Sequence, residues 1–549
     1  MGCLPEVCTP ADANLEDRMR RQFVIFSIIV LAAIAGFSTF WQPVLWSLTL
    51  VGPLVLWGLA DMYLTKTAIL RNFPIVGRGR YVMEWLRPKI YQYFIESDID
   101  GTPINRVFRS LVYQRAKKEL DTVPFGTEFD VYRVGYEYIH HSLGALDARE
   151  VDHDLRVSVG GKGCSKPYDA SILNISAMSY GALSKNAILA LNGGAKKGNF
   201  AHNTGEGGMS PFHLEPGGDL IWQIGTGYFG TRTKDGSFCP DTFAERSAEP
   251  AVRMIEIKLS QGAKPGHGGI LPASKNTPEI AAIRGVEPYT DVISPPGHST
   301  FDTPIGLMEF VALVRERSDG KPVGFKLCVG RQSEFLALCK AMVETGITPD
   351  FITVDGGEGG TGAAPPEYSN SVGMPLKDGL AFVVDALVGH DLRKDIRVIA
   401  SGKIISGFHM ARVLALGADV TSSARAMMLA LGCIQALECN RNICPTGITT
   451  QDPNLVAGLV VSDKIDRVCN FHNESVRALA DLLTASGNRH PEEIERDHIY
   501  QRVSTNRIMR YDEIFPPVRP GCMLDGDAPE RYQRDLTEAQ AASFEPVRV

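Results

Sequence analysis

The chain is predicted to be an α/β protein, a (β/α)8 TIM barrel preceded by an N-terminal transmembrane helical hairpin. Three observations predict it. After Tyr168, short apolar runs ending in Gly, Ser or Pro alternate with segments of helical periodicity, the pattern of strand–helix units in a parallel sheet. Eight runs qualify as strands: Ser171–Ser179, Gly198–Thr204, Met254–Gln261, Asp291–Pro296, Val323–Val329, Phe351–Asp355, Arg397–Ser401 and Asp419–Ser423. Eight is the number that closes such a barrel. From Gln22 to Ala60 no charged residue appears, a run long enough for two short membrane spans. A doubly wound open sheet is the competing arrangement for the same alternation.

Composition narrows the function classes. With 549 residues, 44% of them hydrophobic and 22% charged, the chain buries a sizeable core and is not predominantly disordered. Fifty-six basic against 63 acidic residues give a net charge of −7, which argues against nucleic-acid binding by phosphate neutralisation and for small ligands. Eleven cysteines are too few for a disulfide scaffold and point to a reducing compartment.

Taken in order, residues 1–21 read as a cytoplasmic tail and 22–62 as the hairpin. Its spans are Phe23–Phe40 and Val44–Ala60, broken at Gln42-Pro43, with Trp41, Trp46, Trp57 and Tyr63 where aromatic belts form. Arg18, Arg20 and Arg21 precede the pair and Lys66, Arg71, Arg78 and Arg80 follow it, whereas the turn has no basic residue. The positive-inside rule then places both ends, and the body that follows, in the cytoplasm. A signal peptide or a buried soluble hairpin are the alternatives. Met1-Gly2-Cys3 resembles a myristoylation start, but Glu6 stands where Ser or Thr is needed. Residues 63–167 read as a connector packed on the body, because Tyr91-Gln-Tyr-Phe94 and Tyr132–Tyr138 are too aromatic for a free linker.

In a barrel the chemistry sits at the C-terminal strand ends. The first strand ends in Ser176-Ala-Met-Ser-Tyr-Gly-Ala-Leu-Ser184, whose small residues suit a flat ligand and whose Ser184 can cap a helix. The second leads to Asn203-Thr-Gly-Glu-Gly-Gly208, a carboxylate among glycines that is either a ligand loop or an ordinary tight turn. Lys258 and Lys264 follow in the third, and Lys326 repeats the theme in Gly324-Phe-Lys-Leu327. A lysine in an apolar strand either pairs with a carboxylate or meets an anionic ligand, and strand-end placement favours the ligand. Gly357, Gly359 and Gly362 form a GxGxxG, but Pro365-Pro366 follow instead of a helix start, so a Rossmann site is not expected. Ala400-Ser-Gly-Lys-Ile-Ile-Ser-Gly407 and Ser422-Ser-Ala-Arg425 end the last two strands, where barrels cradle phosphate.

Cys433, Cys439 and Cys444 lie within twelve residues, with Pro445 after the last. That pattern suits an iron–sulfur cluster. Zinc would need a fourth ligand, for which His472 is nearest in sequence, and three unligated buried thiols are the remaining alternative. Residues 168–473 read as the barrel with its cysteine loop, and 474–549 as a C-terminal helix and tail without assigned chemistry.

Together, Ser176–Ser184, Asn203–Gly208, Gln261–Gly269, Ile293-Ser-Pro-Pro296, Gly359-Gly-Thr-Gly-Ala363 and Cys433–Gly447 resemble the FMN-binding synthase domain of glutamate synthase. The resemblance covers roughly Asp169–Asn473 and implies a barrel of the FMN-dependent oxidoreductase type. It implies reduced FMN delivering a hydride to 2-iminoglutarate, made from 2-oxoglutarate and ammonia, to yield L-glutamate. Electrons would enter through a 3Fe-4S cluster on Cys433, Cys439 and Cys444. By the same resemblance, Met178, Ser179, Gln223, Lys326, Gly359 and Gly360 would contact the flavin. Ser401, Gly402, Gly407, Ala424 and Arg425 would hold its phosphate. Lys258, Lys264 and Arg284 would surround the 2-oxo acid, and Glu206 would stand near the ammonia path.

The chain departs from the family in three places. His267-Gly-Gly-Ile270 replaces Glu-Gly-Gly-Gln, and Tyr228 stands where the family's Gly-Arg-Phe-Gly has Arg. These departures raise a different oxo, imino or hydroxy acid as a second substrate reading. A membrane-attached electron-transfer subunit without substrate chemistry is a third, against which Lys258, Lys264 and Arg284 speak. The hairpin and connector stand where the full enzyme carries its glutaminase, so the chain resembles the shorter synthase-like forms and no glutamine hydrolysis is expected. The expected partners are the small acid with ammonia, a separate electron-donor protein or subunit, and the membrane. Self-association into a homo-oligomer is left open.

Overall fold

The computed structural model describes residues 13–119 and 121–548, with side chains from residue 19. The myristoylation-like start and the Arg18 side chain lie outside these. Two compact units result, Met1–Arg106 and Val107–Val549.

In the first unit a helix, Ala13–Ser38, leads through a 3-10 turn, Gln42–Ser47, to a second helix, Leu48–Tyr63. Pro43 opens the turn, where its missing N–H costs nothing. Met19–Ser38 and Gln42–Tyr63 are long and apolar enough to cross a membrane. The second half of the expected tail is therefore the start of the first helix. Asp61 is fully buried, accepting from Arg78 Nε at 3.1 Å and from the Ile75 backbone N–H at 3.1 Å. This clasp starts the helix Arg78–Ile90, which continues into a π turn at Tyr91–Ile95. The expected connector is thus divided, with 63–106 belonging to the hairpin unit and the rest to the barrel unit.

The second unit is a closed parallel barrel of eight strands. They are β1 Leu173–Ile175, β2 His202–Asn203, β3 Leu220–Ile224, β4 Val252–Lys258, β5 Val323–Leu327, β6 Phe351–Asp355, β7 Arg397–Ser401 and β8 Val420–Ser423. Closure comes from β8 pairing with β1, Thr421 opposite Leu173 and Ser423 opposite Ile175. The predicted barrel class holds, with one strand exchanged. Leu220–Ile224, passed over in the sequence, is β3 and buried at every position. Asp291–Pro296 is not a barrel strand: only Val292–Ile293 is extended, in an antiparallel ladder with Ile270–Leu271. Ile293 there is 65% exposed, and Pro295 and Pro296 have no N–H for a ladder.

The barrel floor is closed by an antiparallel pair, Arg156–Val159 with Tyr168–Ser171, whose Val159, Tyr168 and Ala170 pack on Met254, Phe351 and Val420. A long helix, Val461–Ser486, covers the helix Lys185–Gly198. It runs straight through the expected domain boundary at 473. Gly193 and Gly194 permit this approach, since added Cβ atoms would stand 2.6 Å from Ile465 and from Val468. Glu137–Ile139 pairs with Ile499–Ser504, so connector and C-terminal tail share a three-stranded sheet.

Candidate functional site

Parallel pairing of β4 with β5 sets Lys326 opposite Lys258, and Gly324 opposite Glu256. Glu256 and Lys258 are two residues apart on one strand, so they share a face. Deeper in the barrel, Glu256 accepts from Gln223 Nε2 at 2.6 Å, Asn203 Nδ2 at 2.8 Å and Thr353 Oγ1 at 2.6 Å. These bonds fix the amide of Gln223. Lys326 lies 3.4 Å from Asp355, which also accepts from the Gly262 N–H.

Above this floor Lys258 Nζ donates to Glu206 Oε1 at 2.6 Å, and Ser294 Oγ donates to Oε2 at 3.4 Å. Arg284 donates to Tyr180 O at 3.1 Å and lies 5.1 Å from the Phe229 ring centre, while its buried Nε meets no acceptor. Lys264 donates to Ala363 O at 3.3 Å. Glycines make room: a Cβ at Gly269 would stand 2.3 Å from Glu206, and one at Gly207 2.8 Å from Arg284. Burial by itself would raise the Glu206 pKa, but Lys258 first, then Lys264 and Arg284, hold it below the ordinary carboxylate value. Burial and then repulsion from Lys258 bring Lys264 down to about 8, against the pull of Glu206. Burial lowers Arg284 to about 10, again opposed by Glu206. The three cations expected around a 2-oxo acid and Glu206, expected near the ammonia path, are thus joined by one set of electrostatic interactions.

The residues expected to hold the cofactor lie in or just after β1, β3, β5, β6, β7 and β8. Gly205, at φ 65°, brings its loop against Met178 and Ser179; a Cβ there would stand 2.7 Å from Ser179 N. Ser176 and Ser401 hydroxyls, 3.2 Å apart, join β1 to β7. After β7, Gly402 and Lys403 take φ of 140° and 51°. The helix Arg425–Leu431 starts at Ala424, which has no capping side chain. Arg425 donates to Glu358 O at 2.6 Å, and a Cβ at Gly360 would stand 3.0 Å from its Nε. Gly359 packs on Gly262, 3.1 Å from where its Cβ would be. Gly407 opens the helix Gly407–Ala415, and its bare Cα admits Ala478, 2.8 Å from an added Cβ. That packing role has no signal in the local sequence.

The cysteine loop follows the same barrel end. Cys444 is buried, and burial would raise its pKa, but hydrogen bonds from Thr446 and Thr449 lower it. Cys433 is pushed up to about 11, by burial first. Gln435, Leu437 and Asn442 hold left-handed backbone, with φ from 56° to 61°. Among the described residues no three His, Cys, Asp or Glu side chains converge on one metal ion. His472 is not drawn to the loop; its Nε2 meets Ser171 Oγ at 2.9 Å and its ring stacks on Phe200. Lys275, which sequence reasoning missed, is buried with Nζ donating to Cys439 O at 2.8 Å, Thr449 O at 2.6 Å and Ala182 O at 3.2 Å.

A second missed group explains Tyr228. Its hydroxyl bonds Thr300 Oγ1 at 2.6 Å and His298 Nδ1 at 3.0 Å, and His298 Nε2 lies 2.9 Å from Lys258 O. Burial lowers His298 to about 4, so the ring is neutral, with Nε2–H donating to the carbonyl. Tyr228 and His298 support the lysine strand from behind. The Glu256-x-Lys258 spacing was a readable signal for the barrel interior, but nothing near His298 or Lys275 was.

A closed parallel barrel carrying buried cations and glycine-lined loops at its strand ends is the architecture of a barrel whose site lies at the C-terminal strand ends. Residues 156–489 match the conserved region in glutamate synthase. The chain belongs to the glutamate synthase family and is an oxidoreductase. It is 35% identical over 488 residues to the glutamate synthase large subunit-like protein YerD of Bacillus subtilis, covering 82% of this chain and 92% of that protein. It is 36% identical over 315 residues to the archaeal glutamate synthase (NADPH) of Methanocaldococcus jannaschii, covering 57% of this chain and 58% of the relative. The archaeal-type enzyme of Thermotoga maritima is 33% identical over 312 residues, with the same two coverages. The flavin-binding domain of baker's yeast flavocytochrome b2 aligns at 12% identity and a TM-score of 0.39, covering 76% of this chain and 85% of that one. A likeness so slight says nothing of function.

Proposed function

We propose that the chain is a membrane-attached glutamate synthase-type oxidoreductase in which reduced FMN reduces 2-iminoglutarate to L-glutamate. Family membership supports the reaction class, and one observation carries the substrate. Lys258, Lys264, Arg284 and Glu206 gather in one mouth; three cations less one anion leave a charge of +2. Buried charge of one sign is costly unless a counter-charge completes it. The two carboxylates of 2-oxoglutarate supply that complement.

FMN would be held at its ring by Met178, Ser179, Gln223, Lys326, Gly359 and Gly360, and at its phosphate by Ser401, Gly402, Gly407, Ala424 and Arg425. When bound it supplies the hydride. The chain's own groups do the rest. Lys258, Lys264 and Arg284 bind the carboxylates and polarise the C2 oxygen. Ammonia attacks C2 and one of its protons passes to the C2 oxygen, giving the carbinolamine, and Glu206, held ionised, takes the proton that the nitrogen gives up once water has left. Lys264, with its pKa near 8, protonates the departing hydroxyl as the imine forms. Cys433, Cys439 and Cys444 would carry the 3Fe-4S cluster. The lowered Cys444 thiol and the neighbouring Lys275 would suit such an anionic group. A separate protein would supply the electrons. The hairpin would span the membrane, with Arg20 and Arg21 before it and Lys66 and Arg71 after it on the cytoplasmic side.

Tyr228 favours a second reading, in which the acid differs: its hydroxyl is turned to His298 and Thr300 and offers the substrate nothing. Anaerobic enzyme reduced with dithionite distinguishes the two. Flavin reoxidation on adding 2-oxoglutarate and ammonium, with glutamate formed, is the expected result. Flavin that stays reduced in that mixture but is reoxidised by another small acid would transfer the site to that acid.

A further inference from the structure

We infer that the helical segment Arg78–Ile95 is an interfacial helix that lies on an anionic lipid surface beside the hairpin. It would make the chain's membrane contact one of three helices rather than two. The inference rests on the membrane reading of the hairpin.

The segment is held at the level where a span ends. Asp61, two residues before the close of Gln42–Tyr63, is fully buried against Arg78 and the Ile75 N–H, and the Arg78 guanidinium sits 4.5 Å from the Trp57 ring centre. From that clasp the helix Arg78–Ile90 and the π turn Tyr91–Ile95 lead away. A doubly bonded carboxylate–guanidinium pair, its carboxylate fully buried and its guanidinium half-buried, is a fixed joint rather than a loose tether.

What leads away is uncovered and apolar. Trp85 is 66% exposed, Phe94 84% and Ile95 64%, and Tyr81, Met83, Tyr91 and Tyr93 are exposed with them. Apolar surface on this scale marks a site that meets a protein or a membrane. Two features select the membrane. Val82, Trp85 and Leu86 share one helix face while Arg80, Glu84 and Arg87, at i, i+4 and i+7, share another, the division of an interface-lying helix. With Arg78 neutralised by Asp61, Arg80, Arg87 and Lys89 stand against Glu84 alone, a sign that complements anionic headgroups. The Lys89 ammonium lies 3.3 Å from the centre of the Trp85 ring, and Trp and Tyr with basic neighbours are the residues that settle at headgroup level.

The test uses the full chain in nanodiscs containing phosphatidylglycerol. A variant with Trp41→Phe, Trp46→Phe and Trp57→Phe leaves Trp85 and the core Trp222, which is fully buried. Lipid brominated near the headgroup should quench roughly half of the emission or more, and lipid brominated at the chain end much less. Adding Trp85→Phe should abolish that quenching. In the unmodified chain, a photoreactive headgroup lipid should label a peptide within 81–95, so the result does not depend on the variant folding. A chain that stays in the disc with Trp85 unquenched and 81–95 unlabelled would overturn the interfacial helix, whether that face meets the barrel, a second copy or another protein. A chain that does not float with lipid at all would instead overturn the membrane reading and this inference with it.

Discussion

Glu206 is the residue on which the proposed chemistry turns. It is the one carboxylate among three cations, bonded to Lys258. Glu206→Gln keeps the shape and removes the proton acceptor, so kcat with ammonium should fall by about 10² to 10⁴ while the flavin spectrum is retained. A variant with unaltered kcat would remove Glu206 from the reaction. Lys264 sets a pH dependence. Burial brings it down to about 8, so as pH rises through that value the site loses a positive charge and KM for the acid should rise. Lys264→Arg, which stays charged, should flatten that rise; an identical profile in both proteins would assign it elsewhere. Lys275 joins the carbonyls of Cys439, Thr449 and Ala182, holding the cysteine loop to the loop that follows β1. Lys275→Met should lower iron content and the cluster's electron-paramagnetic signal while flavin is kept. Full iron in that variant would make the lysine merely structural.

Between elements, the tightest packing is made by glycines. The helix Lys185–Gly198 and the helix Val461–Ser486 meet at Gly193 and Gly194, where Ile465 and Val468 occupy the space of a side chain. Gly194→Val should therefore destabilise the barrel by about 1–3 kcal/mol, as overpacking does, read as a shift in denaturant midpoint. An unchanged midpoint would mean that the helices separate freely. The same logic separates two kinds of strand evidence. Phe351–Asp355 and Arg397–Ser401 were legible to the residue because each is an apolar run bounded by turn residues. Asp291–Pro296 looked similar but carries Pro295-Pro296, and its two extended residues form a ladder with Ile270–Leu271 instead. Leu220–Ile224 was the better strand, and only its complete burial distinguishes it.

Across the whole molecule, buried neutral histidines tie stability to pH. Burial lowers His213 and His409 to about 3, and His298 and His472 to about 4. Below the ordinary histidine value of about 6.5 the unfolded chain takes up protons that the folded chain refuses, so stability should fall as pH falls from there toward the folded values. Melting temperatures measured from neutral pH downward should decline across that window, and a flat profile would contradict it. The sequence by itself determined the barrel class, the two apolar helices, the cysteine loop and the cationic residues, because periodicity, charge-free length and residue type are local properties that survive in one dimension. Tertiary structure alone decided that Glu206 is the partner of Lys258, that Tyr228 and His298 support the lysine strand from behind, that Lys275 fastens the cysteine loop, and that Gly407 serves helix packing. Each of those depends on residues far apart in the chain being brought within hydrogen-bond or van der Waals distance by barrel closure, and no local pattern encodes such a distance.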